Sequence, residues 1–96
     1  MKHEKIFNQR ITCWDNGGET WDRFTVVYLD QPENSDDLGP YRPETFAARG
    51  MSSDPFNGFG QMTTACNGRH LGKKIPFAHL PQGCRLLVEM DLKGTK

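Results

Sequence analysis

Ninety-six residues, 35% of them apolar, allow one domain with a small core, and ten glycines and six prolines favour a turn-rich α+β or all-β chain over a helical bundle. Acidic and basic residues balance at 12 each, which excludes the whole-domain basic footprint of a non-specific nucleic-acid binder. The balance is uneven along the chain, with five Lys/Arg against nine Asp/Glu in residues 1–48 and seven against three in residues 49–96.

Residues 1–8 read as a lightly packed lead-in. Residues 9–15 and 21–30 then read as the two strands of a β-hairpin. Asn16-Gly17-Gly18 supplies the positive φ angles of a tight turn. The β-branched and aromatic run from Phe24 to Leu29 supplies the second strand. Both faces of that run are apolar, Phe24, Val26 and Tyr28 on one and Val27 and Leu29 on the other, so the strand is expected to be central and covered on both sides. Trp14 and Trp21 flank the turn and are expected to pair across the strands.

Residues 31–43 hold three prolines and an acidic run, the composition of a surface loop. Short strands follow near 44–51, 61–66 and 73–77, separated by Gly-rich loops. Pro81 opens a C-terminal helix over residues 80–91, capped by His79 or Leu80. Leu80, Cys84, Leu87 and Val88 share the face that meets the sheet, while Arg85 and Glu89 face outward. The predicted architecture is a single α+β domain, an antiparallel sheet of about four strands packed by one helix.

The three cysteines, Cys13, Cys66 and Cys84, are odd in number and irregular in spacing, which speaks against a disulfide framework. Cys66, His70, His79 and Cys84 lack the tight Cys-x-x-Cys pairs of structural zinc sites, so no metal or cofactor is expected. The thiols Cys13 and Cys66 with the bases His70 and His79 leave a small Cys/His-dependent enzyme as a third option, although no nucleophile signature surrounds either cysteine. No stretch approaches the roughly 20 apolar residues of a membrane span, and the first residues lack the apolar run of a signal peptide. A soluble, cytoplasmic protein without a membrane partner is expected.

Two constellations invite a binding role. Asp15, Asn16, Glu19, Asp22 and Arg23 crowd one turn, more polar chemistry than a turn needs. Of these, Asp15, Asn16, Asp22 and Arg23, together with Asp36 and Asp37 in the acidic loop, form a candidate contact surface for a protein partner; hairpin geometry alone is the simpler explanation for the turn residues. The alternative is a ligand site in which Phe56 and Phe59 lie near the basic, Gly-bracketed run Arg69, His70, Lys73 and Lys74. Aromatic faces beside cations suit a nucleotide or another anion, whereas a structural role would have the two rings plug the core.

Cys-Trp-Asp-Asn-Gly-Gly-x-Thr-x-Asp-Arg-Phe-Thr-Val-Val-Tyr at 13–28, Gly-Met-Ser-x-x-Pro-Phe at 50–56, Gly-Phe-Gly-Gln at 58–61 and Arg-His-Leu-Gly-Lys-Lys-Ile at 69–75 occur together. This set resembles a group of small uncharacterised proteins of bacteriophages, plasmids and integrative elements, over roughly residues 10 to 92. The group's pattern carries an acidic residue where His79 stands and a longer loop near Asn57, so the helix cap is weaker and the loop shorter here. The resemblance implies an accessory protein that binds and blocks a factor of the bacterial host, in the manner of host-defence inhibitors such as anti-CRISPR proteins. Sequestering a signalling nucleotide is the alternative it implies.

Overall fold

A computed structural model describes residues 3–32 and 45–94. Six strands form one antiparallel sheet: β1 Glu4–Ile6, β2 Gln9–Asp15, β3 Phe24–Pro32, β4 Phe46–Met51, β5 Gly60–Ala65 and β6 Lys73–Ile75. The C-terminal helix α1 spans Gln82–Lys93. The fold is α+β as expected, with two more strands than the sequence suggested.

The sheet runs β1-β2-β3-β4-β5, and β6 returns to pair with β2. β1 and β6 share the edge of β2 end to end: β1 takes Gln9 to Ile11, and β6 takes Cys13 to Asp15. The backbone N–H of Phe77, just after β6, donates to the Glu4 carboxylate at 2.6 Å and ties the two short strands together. The expected lead-in is therefore corrected, because residues 4–6 are paired. Phe7 and Asn8 turn the chain with φ of 52° and 66°, the two positive angles of a tight hairpin turn.

β3 is covered on both faces, as its sequence implied. On one face Phe24, Val26 and Tyr28 pack with Ile11, Cys13, Ala47 and Met51 beneath Leu80, Cys84, Val88 and Leu92. On the other, Trp14, Val27 and Ala48 form a second cluster, with Leu29, Phe46, Ala65 and Leu71 against it. Leu71 belongs to the chain that returns from β5 to β6 and includes a 3-10 turn at Arg69–Leu71. That crossover spans the face opposite the helix. Its Asn67 carboxamide oxygen accepts the Thr12 hydroxyl at 2.6 Å, and Thr12 in turn accepts the Trp14 indole N–H at 3.0 Å.

The helix starts and ends two residues later than expected, with Pro81 itself in the capping position. Proline offers no side-chain oxygen to the first helical N–H groups. The buried stripe continues to Leu92, while Leu87 is only partly buried. Arg85, expected to face water, is half-buried, and its Nε has no hydrogen-bond partner. Asp91 anchors the helix to the sheet by accepting the Tyr28 hydroxyl and the Arg49 guanidinium, the latter through Nε at 2.9 Å and through a second, shorter bond. No helix among the described residues is long and apolar enough to cross a membrane.

Candidate functional site

The hairpin tip is an eight-residue loop, because the last β2–β3 pair is Asp15 with Phe24. The second strand begins at Phe24 rather than Trp21, so Trp21 stands in the loop. The two tryptophans do not pair: Trp14 is buried opposite Thr25, and Trp21 is 85% exposed.

The polar residues of the tip bond one another. Asp15 accepts the Gly17 N–H at 2.8 Å and the Arg23 guanidinium at 2.9 and 3.3 Å. The Arg23 hydrogen bond holds the Asp15 carboxyl below the usual carboxylate range. Asn16 accepts the N–H groups of Gly18 and Glu19 at 2.9 and 3.0 Å and donates to the Thr20 hydroxyl at 2.8 Å. Thr20 donates to Asp22, whose side chain lies over Gly50 of β4, where an added Cβ would come within 3.0 Å of it. Arg23 also stacks on Phe24, 5.2 Å from the ring centroid. The turn uses its own density of charge and amide to fix its shape, and such pinned loops lose little freedom on binding.

What the tip presents is Trp21. Beside it opens a cleft of about 480 Å³ lined by Gly18, Glu19, Thr20, Trp21, Arg23 and, from the start of the β4–β5 connection, Ser52 and Ser53. That connection is closed by Ser52, which donates its N–H to the Phe59 carbonyl at 2.7 Å and accepts the Phe59 N–H on its hydroxyl at 3.0 Å. Pro55 is the buried plug of this loop, not Phe56, which is 54% exposed. Pro55 packs where Gly83 opens α1, so close that an added Cβ on Gly83 would lie 3.1 Å from it.

Of the second constellation, Arg69, Lys73 and Lys74 come together around a cleft of about 430 Å³, with Trp14 and Gly72. Phe56, Phe59 and His70 do not line it. Asp36 and Asp37 lie outside the described residues.

The thiols are not poised for nucleophilic work at Cys13 or Cys84. Burial pushes the Cys13 thiol far above its ordinary range, and pushes Cys84 up to about 11. The thiolate is the reactive form, so both are inert at neutral pH. Cys84 donates instead to the Ser52 carbonyl at 3.2 Å. Cys66 is half-buried on the crossover and His70 and His79 are exposed, with no hydrogen bond joining that thiol to either ring among the described residues. Among the described residues, no group of three or more His, Cys, Asp or Glu is placed to hold a metal ion.

Trp21 is the residue that sequence reasoning missed. Its signal was the company it keeps: Thr20 and Asp22, side chains that compete for backbone hydrogen bonds and favour turns over strands, bracket it on both sides. No protein-family model, no curated protein and no solved structure matches this chain.

Proposed function

We propose that this protein is a binding module that docks on a protein partner through the hairpin tip, with Trp21 as the anchor. The observation that carries the reading is a tryptophan 85% exposed on a loop whose neighbouring side chains are hydrogen-bonded to one another. Exposed to water, an indole adds nothing to the fold, whereas buried in a partner it is among the strongest single contributors to an interface. A rigid support lowers the ordering cost of that burial. The adjoining cleft, lined by Glu19, Thr20, Arg23, Ser52 and Ser53 as well as Trp21, offers polar residues for a rim around the anchor.

Asp15, Asn16, Asp22 and Arg23 take the supporting part in this reading, since they shape the loop that carries Trp21. The finer version, in which the partner is a factor of a bacterial host and docking blocks it, rests on the resemblance described above. Site-specific replacement of Glu19, exposed and lining the same cleft as Trp21, by a photo-crosslinking phenylalanine analogue tests the surface with the anchor in place. A discrete adduct from position 19, absent when the analogue replaces the exposed Gln61 of β5 instead, is the expected result. Equal labelling from both positions would mean that the tip is not the contact.

A further inference from the structure

The sheet has two edges, and the chain treats them differently. One is shared by β1 and β6, each three residues long and each charged, with Glu4 and Lys5 in the first and Lys73 and Lys74 in the second. Short length and lysine are means by which an edge is kept from pairing with other chains. The other edge is β5, Gly60–Ala65, six residues without a charge or a proline. Among the described residues β5 pairs with β4 alone, in unbroken register from Gly60 opposite Met51 to Ala65 opposite Phe46. Gln61, Met62, Thr63 and Thr64 are all exposed, so both faces of the strand are open beside its outward row of backbone N–H and C=O groups.

The helix leaves an apolar flank beside this edge. Ala47 and Met51 of β4 lie in the core beneath α1, and side chains alternate along a strand, so Arg49 between them is on the same face and reaches Asp91 of α1. Met62, the strand partner of Arg49, shares that face. Leu87, one helical turn before Asp91, lies over the start of β5, its Cδ2 3.1 Å from where a Cβ on Gly60 would stand. Met90, three residues after Leu87, is on the same side of the helix. Phe56 ends the row, 3.6 Å from where a Cβ on Gly83 would stand, one turn before Leu87. Met62, Phe56 and Met90 are 50%, 54% and 60% exposed. Large apolar side chains gathered beside an unpaired edge mark an interaction surface.

We infer that a second copy of this chain covers the edge, joined β5 to β5 in an antiparallel pair about a twofold axis perpendicular to the sheet. An extended peptide satisfies the backbone of β5 but leaves the helix flank bare. The twofold axis covers both. It joins two sheets into one, keeps both helices on the same face, and turns the Met62 and Met90 side of each copy toward that of the other, as a self-complementary contact requires. A strand without charge opposes no like charges when it pairs with itself.

Size-exclusion chromatography with light scattering, on the wild-type chain from about 1 to 300 µM, tests it. The mass is expected to rise toward twice that of the chain. The T63K variant sets a lysine near its symmetry mate, and M90E places a charge on the flank; both positions are exposed. Each is expected to keep the far-ultraviolet circular dichroism of the wild type and to dimerise about tenfold more weakly or less. The W21A variant is expected to dimerise as the wild type does, which separates this contact from docking through the tip. A wild-type chain monomeric throughout, dimerisation unchanged in folded T63K or folded M90E, or dimerisation lost in W21A would each overturn the proposal. A photo-crosslinker at Gln61 joins two copies of this chain under this arrangement, an adduct told from one with a docked partner by its mass. Stability comparisons at Met90 belong at concentrations where the chain is monomeric.

Discussion

Gly72 and Gly17 both hold positive φ, 120° and 80°, but in different surroundings. A Cβ on Gly17 meets nothing within 4 Å, while one on Gly72 collides with the backbone of Asp15 and Asn16. Gly17→Ala is therefore expected to cost only conformational strain, about 1–2 kcal/mol. Gly72→Ala adds a backbone clash and is expected to cost clearly more, about 3 kcal/mol or above. Urea unfolding of both variants checks the order. Tyr28 gives a pH signature at the same scale. Burial, then the hydrogen bond to Asp91, raises its phenol above the ordinary value of 10.0. The folded protein keeps this proton where the unfolded chain has lost it. The contribution to stability is therefore complete below about pH 10 and is lost as pH rises toward the folded value. The buried Cys13 thiol acts in the same direction from its ordinary value of 9.0 upward. Stability is expected to decline with alkali, and Tyr28→Phe is expected to flatten the part of that decline above pH 10, read from melting temperatures at stepped pH. The sequence placed Tyr28 on a buried face, but nothing local revealed that Asp91, 63 residues away, would meet it.

Elements with a regular period were the most legible. The apolar period of α1 predicted its core face, and Cys84 and Val88 are fully buried on it. Its limits moved because Pro81 stands at the cap and Leu92 adds a further buried position. Leu92→Ala is expected to cost about 2–4 kcal/mol, whereas Met90→Ala, at a side chain 60% exposed, is expected to stay within about 0.5 kcal/mol. Thermal unfolding of the two variants decides whether the stripe is assigned correctly. β1 escaped prediction for a physical reason. Its three residues have no strand signature of their own, and its turn uses Phe7 and Asn8 rather than glycine. Such a strand exists only because β2 offers it an edge. The hairpin tip was legible as a turn and misjudged in length. The strand propensity of Trp21 drew it into β3, while the bonds of Asn16 to Gly18, Glu19 and Thr20 hold the loop open for eight residues.

At the scale of the molecule, the sheet is a frame that brings three loops to one end. The β2–β3 tip, the β4–β5 connection and the entry to β6 all lie there, as the antiparallel pairing of β2 with β3 and β6, and of β4 with β3 and β5, requires. The return of β6 to β2 was invisible in the sequence, since a strand of three residues carries no mark of its partner. Yet that return lays the end of the crossover against the base of the hairpin, with Gly72 on the backbone of Asp15 and Asn16. It also separates the residues that the sequence grouped as one ligand site, because Arg69, Lys73 and Lys74 line the cleft over Trp14 and Phe56 and Phe59 do not. Docking through Trp21 is tested most directly by quantitative affinity capture from bacterial lysate with the wild-type chain and its Trp21→Ala variant, after equal melting temperatures have been established. A protein retained by the wild type and lost from the variant is the expected result, because removing an exposed indole leaves the core intact. The same proteins retained in equal amounts by both chains would contradict it.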